Sequence, residues 1–135
     1  MTESKRLSAK QMLEQARREI EELSAEQAIE LHVEDDVVIV DIRDSAEIAQ
    51  SGGIPGAFHA PRGSLEFWID PESPAHKAVF SSGKKIVFHC AGGGRSALAA
   101  QTAQRMGVKG VSHVKGGFAA WKEAGGPVKA PGDAD

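Results

Sequence analysis

Two apolar runs, Val37-Val38-Ile39-Val40 and Lys85 to His89, are too short for helices and rich in β-branched or aromatic residues. Each predicts a strand buried on both faces of a sheet. Around them the period changes. Met12, Leu13, Ala16, Ile20 and Leu23 recur at helical spacing, and Glu14 and Arg18 form an i,i+4 pair, so Ser8 to Leu23 predicts a helix. Ser24 with Gln27 makes a capping box that opens a second helix running to about His32. Asp44 with Glu47 opens a third, which Gly52 and Gly53 stop.

The second half follows the same logic. Ala57 to His59 predicts a short strand, and Ser64 to Ile69 one or two helical turns before Pro71 and Pro74 break the chain. Ser96 to Met106 predicts a helix with Leu98, Ala99, Thr102, Ala103 and Met106 on one face and Gly107 as its stop. Val108 to Val114 predicts another strand, and Phe118 to Glu123 a last helix between two glycine pairs. Strands alternating with helices imply an α/β fold with a mainly parallel central sheet and helices on both faces. Residues 1–33 are expected as an N-terminal helical segment packed on the domain, as a lid on one sheet face or as a dimer surface. The domain proper spans 34–128, and 129–135 is expected as a flexible tail.

Composition changes this picture little. The chain has 135 residues, 41% of them hydrophobic and 26% charged, as expected of one globular domain. A net charge of −3 with mixed signs argues against a nucleic-acid or anionic-membrane surface. No apolar run is long enough to span a bilayer, and Met1 to Ala9 lacks the apolar core of a secretory signal. Cys90 is the one cysteine, which suits a reducing compartment, so a cytoplasmic location is expected. The histidines His32, His59, His76, His89 and His113 have no i,i+4 pairing, so neither a metal site nor a cofactor is indicated.

The chemistry concentrates in Ile86 to Ser96. A buried strand ends at Cys90, the loop Ala91-Gly92-Gly93-Gly94 turns the chain, and a helix begins near Arg95 and Ser96. Carboxyl ends of strands are where open α/β sheets bind ligands. Glycines let the backbone curl so that several N–H groups converge, and the new helix adds the positive end of its dipole. Such a cradle favours thiolate over thiol, and thiolate is the nucleophilic form. A lone cysteine is more often a small buried hydrophobe, but its place at a strand end before a glycine loop and an arginine argues for chemistry here. A phosphate-binding P-loop would need a lysine that this loop lacks. A dinucleotide fingerprint would need an acidic residue near Ser112 and His113, where none stands.

The stretch Cys90-Ala91-Gly92-Gly93-Gly94-Arg95-Ser96 resembles the C-x-x-G-x-R-S loop of single-domain rhodaneses. Asp41-Ile42-Arg43 with Glu47, Ile54 to Ala60, and Gly116-Gly117-Phe118 with Trp121 and Pro127-Val128 are similar to other motifs of that family. The resemblance covers roughly Val37 to Val128 and implies a rhodanese-like three-layer sandwich. It further implies a sulfurtransferase: Cys90 takes a sulfane sulfur from thiosulfate, a polysulfide or a similar donor and passes it as a persulfide to a thiol or cyanide, or to a sulfur-accepting protein. The loop Ala91 to Ser96 would bind the persulfide, with Arg95 as anion ligand or loop organiser. Four residues separate Cys90 from Arg95. Phosphatases and arsenate reductases of similar architecture have five, a wider cradle for a tetrahedral oxyanion. A non-catalytic binding or regulatory module is the alternative of another class, and phosphatase or arsenate reductase a further one. Thiosulfate-specific members carry a basic residue where this chain has Ala91, which leaves room for a different donor.

Four other residues are candidate pocket residues. Arg62 is a candidate anion guide. Asp41 and Arg43 stand at a strand end, where a structural ion pair is the simpler reading. Trp121 either walls the pocket or packs in the core. His59 is expected as a hydrogen-bonded loop residue, and His89 is expected to point away from the cysteine, because side chains alternate along a strand.

Overall fold

The apolar runs become the middle of a five-stranded sheet, in a computed structural model that describes residues 6–132. The strands are β1 (Glu21–Leu23), β2 (Val37–Asp41), β3 (Phe58–His59), β4 (Lys85–His89) and β5 (Val111–Val114). Their order is β1-β5-β4-β2-β3 and every neighbouring pair is parallel. Parallel sheets need both faces covered. One face carries α4 (Leu65–Ile69) and α5 (Gly94–Arg105), which bury Leu65, Ile69, Ala99, Ala100 and Ala103 against Val40, Ile86 and Phe88. The other carries α2 (Ala25–Leu31) and α6 (Gly117–Glu123), which bury Ala28, Phe118 and Trp121 against Ile39, Val87 and Val114. This is the three-layer α/β architecture expected.

Helix α1 (Ala9–Glu19) and α3 (Ser45–Ser51) complete the set. The predicted capping boxes at Ser24 and Asp44 are both formed, and α1 is capped the same way by Ser8 with Gln11. Helix α1 packs on α5, with Gln101 and Arg105 donating to the Glu19 carboxylate.

Several boundaries differ from expectation, among them the strand expected from Val108, which begins at Val111. The first helix does not run to Leu23; it ends at Glu19, and Glu21–Leu23 becomes the edge strand β1, paired with Ser112 to Val114. Three residues carry no strand periodicity of their own, so only the open edge of β5 recruits them. The helix after Cys90 begins at Gly94 rather than Ser96, because Gly93 at φ 100° makes its left-handed entry. Lys129, expected to start a loose tail, exchanges two backbone hydrogen bonds with Gly53 at 2.7 and 3.0 Å.

Candidate active site

Strand β4 delivers Cys90 to the carboxyl edge of the sheet, beside β5 and beneath the N-terminus of α5. The backbone then folds over the sulfur. The N–H of Gly93 donates to Cys90 Sγ at 3.1 Å and that of Ser96 at 3.4 Å, so two donors from the loop and first helical turn converge on one atom. Cys90 itself is only 1% exposed. The loop is fastened from behind by α6. Phe118 N–H donates to the Cys90 carbonyl at 2.8 Å and Ala119 N–H to that of Ala91 at 3.2 Å. That approach requires Gly117, at φ 62°, because a Cβ there would lie 2.5 Å from the Cys90 carbonyl oxygen.

Arg95 does not turn toward the sulfur. Its guanidinium makes a bidentate pair with Glu47 of α3, both contacts at 2.8 Å, and so ties the loop to a neighbouring helix. The two hydrogen bonds hold the Glu47 carboxyl down to about 2 and raise Arg95 above its ordinary value. A carboxyl depressed in the folded state contributes above its ordinary range and loses that contribution as the pH falls toward about 2. Both partners are part-exposed, so Glu47→Gln is expected to cost no more than about 1 kcal/mol in urea unfolding. It should nevertheless speed amide hydrogen exchange across Gly92 to Ser96, where the anchor is lost. Unchanged exchange there would mean that Arg95 does not hold the loop.

The four candidate pocket residues are each engaged in contacts of their own. Asp41 and Arg43 form a buried ion pair, 2.7 Å between Arg43 Nη2 and Asp41 Oδ2. Arg43 also donates to the Gly52 carbonyl and stacks over Phe118, 4.6 Å from the ring centroid. Burial pushes the Asp41 carboxyl up, but the Arg43 hydrogen bonds and nearby charges outweigh it and hold it below its ordinary value. Arg62 is spent on Glu66 and Thr102. Trp121 is a core residue whose indole N–H donates to the Pro127 carbonyl at 2.8 Å. His59 bonds the Arg43 carbonyl, and His89 lies buried with its Nε2 3.5 Å from Asp41.

Two residues unmarked by sequence complete the surroundings of the sulfur. Cys90 Sγ lies 3.5 Å from Ser96 Oγ, Ser96 Oγ 2.9 Å from His113 Nδ1, and His113 Nε2 2.8 Å from Glu22 Oε2. Glu22 is held in turn by Arg17 at 2.9 Å. His113 and Glu22 edge a cavity of about 260 Å³ that the Gly92–Gly94 loop, Arg17 and Lys115 also line. The signal available in sequence was the position of His113 at the carboxyl end of a strand. Glu22 was hidden because its strand read as helix.

A family profile described as a rhodanese-like domain matches residues 24–124. The chain belongs to the rhodanese-like family. Among relatives of this rhodanese-like chain, a sulfurtransferase of Allochromatium vinosum is 34% identical over 97 residues, covering 72% of this chain and 82% of that protein. The human thiosulfate:glutathione sulfurtransferase is 34% identical over 91 residues, covering 63% and 78%. A solved structure from Rhodopseudomonas palustris, described as a protein of unknown function and possible tyrosine phosphatase, is 55% identical. It superposes with a TM-score of 0.90 and covers 96% of the rhodanese-like chain and 99% of its own.

Proposed function

We propose that this chain is a sulfurtransferase that moves a sulfane sulfur through a persulfide on Cys90. The observation that carries the reading is the pair of backbone donors on Cys90 Sγ at the head of α5. In the first step the Cys90 thiolate attacks the outer sulfur of thiosulfate or a polysulfide. The donor's S–S bond breaks, and sulfite or the shortened polysulfide leaves with the bonding electrons. The terminal sulfur of Cys90–S–S⁻ is then an anion in reach of loop N–H groups and the helix dipole. An acceptor thiolate or cyanide attacks that terminal sulfur, and the Cys90 thiolate is released. Cys90 is the chain's one thiol, so release relies on an external nucleophile. Donor entry requires the side-chain-free Gly92–Gly94 loop to give, because Cys90 is almost wholly buried.

Names of relatives support the class of substrate. One acts, by its name, between thiosulfate and glutathione, which makes a small sulfane donor and a thiol acceptor the first pair to try. Ala91 puts no cation beside the sulfur, so a polysulfide or persulfide is expected to serve at least as well as dianionic thiosulfate. A reducing compartment such as the cytoplasm suits the lone thiol. Among the described residues no helix is long and apolar enough to cross a membrane.

The Rhodopseudomonas palustris protein's description makes phosphate-ester hydrolysis a second reading. Four residues between Cys90 and Arg95, and an Arg95 committed to Glu47, speak against it. Intact mass after incubation with thiosulfate or polysulfide separates the two. A gain of one sulfur atom, reversed by a thiol reductant, is the expected result. No gain with any sulfane donor, together with hydrolysis of p-nitrophenyl phosphate, would replace this reading by the phosphatase.

A further inference from the structure

We infer that Ser96, His113 and Glu22 form a proton path that takes the Cys90 thiol proton to His113 and leaves the thiolate paired with an imidazolium that the Glu22 carboxylate holds at the cavity edge. This rests on Cys90 as the nucleophile, but it concerns how that nucleophile is generated. The chain Cys90 Sγ, Ser96 Oγ, His113 Nδ1, His113 Nε2, Glu22 Oε2 is continuous, with links of 3.5, 2.9 and 2.8 Å across three strands and the head of α5. Its polarity is consistent from end to end. The two backbone N–H groups already donate to Sγ, so the thiol proton points to Ser96 Oγ. Ser96 then donates to Nδ1, and the Nε2–H of His113 donates to the Glu22 carboxylate.

The transfer balances within the chain. Cys90 S–H breaks as Ser96 Oγ takes its proton. Ser96 passes its own proton to His113 Nδ1, giving the imidazolium, and the Nε2 proton stays on the ring, hydrogen-bonded to the Glu22 carboxylate at the cavity. Ser96 O–H is then free to turn and donate to the thiolate. The surroundings suit each stage. Burial lowers His113 against the pull of Glu22, which keeps the resting ring neutral and able to accept. Burial alone would raise Glu22, but Arg17 and His113 together hold it below its ordinary value, so it is a carboxylate when the imidazolium forms. The charged or titratable groups facing His113 are Glu22 from β1, Arg17 from α1 behind it, Cys90 at the end of β4 and Lys115 across the cavity. The head of α5 contributes the neutral hydroxyl of Ser96.

A purely structural role for these residues would alter stability and leave the acid–base behaviour of Cys90 unmoved. The experiment is therefore the rate of iodoacetamide alkylation against pH, read by intact mass. With Cys90 the only thiol in the chain, the signal has one source. His113→Asn keeps an acceptor for Ser96 but cannot hold the proton. Alkylation at pH 7 is expected to fall about tenfold, with the gap closing by about pH 10, where hydroxide removes the proton directly. Glu22→Gln keeps the contact to Nε2 without the charge, and is expected to slow alkylation at pH 7 by about threefold. It stands at the cavity edge, so it decides the matter if His113→Asn fails to fold. Folded variants that alkylate like the wild type at pH 7 would overturn the path. Sulfur gain by the wild-type protein is scored separately. Slowed alkylation in the variants supports the path even if the wild type takes up no sulfur, and normal sulfur uptake with unchanged alkylation refutes the path alone.

Discussion

Cys90→Ser is expected to lower sulfur transfer at least about a thousandfold while leaving the fold in place. A hydroxyl in the cradle can still accept from the Gly93 and Ser96 N–H groups, so its backbone donors do not lose their partner. The packing change is one atom wide, and the cost in urea unfolding is expected to stay under about 1.5 kcal/mol. The chemistry cannot survive the same change. At neutral pH an alcohol is scarcely ionised, and oxygen is a poor nucleophile toward sulfane sulfur. Transfer from polysulfide to cyanide, measured beside a denaturation curve, checks both halves. Retained transfer would sink Cys90 as carrier. Lost transfer with lost folding would show instead that the sulfur packs a site the hydroxyl cannot fill.

Asp41→Ala is expected to carry the largest stability cost of any single change beside the site, about 3–5 kcal/mol. The Arg43 guanidinium it abandons is 1% exposed. What remains to it is the Gly52 carbonyl and the face of Phe118, neither of which balances a full charge. A loss of that size is a large part of the 5–15 kcal/mol that a domain has in total. The damage should reach the loop, since Phe118 also bonds the Cys90 carbonyl. The double change Asp41→Leu with Arg43→Met removes both charges and is expected to cost less than Asp41→Ala alone. The same pair sets a pH response. The Asp41 carboxyl is held below its ordinary value, so its contribution is complete above the usual carboxylate range and is lost as the pH falls through its folded value. In the wild type, stability should therefore decline on acidification below about pH 4, and that part of the decline should be absent in the double variant. An identical acid slope in both would assign the decline to other carboxylates.

The strands β2 and β4 and the helices opened at Ser24 and Asp44 were readable because their causes are local. A four- or five-residue β-branched run has no other stable use, and a capping box satisfies its own N–H groups within four residues. The loop from Cys90 to Ser96 was readable for the same reason: strand end, glycines and helix start are contiguous. The partners of that loop were not. Arg95 and Glu47 are 48 positions apart, and His113 and Glu22 are 91 apart.

By itself, then, the sequence determined the α/β alternation and the place of the thiol at a strand end before a glycine loop. Each follows from steric and hydrogen-bonding demands met within a few residues. The tertiary structure alone decided what surrounds the thiol. It turned Glu21–Leu23 from helix to edge strand, because β5 had unpaired backbone groups to offer. That one strand carries Glu22 to His113 and so completes a chain of polar contacts to Cys90. It also turned Arg95 outward to Glu47, since a part-exposed charge takes whichever partner the fold brings within reach. Local pattern cannot anticipate such choices, because they depend on which distant segments the sheet order makes neighbours.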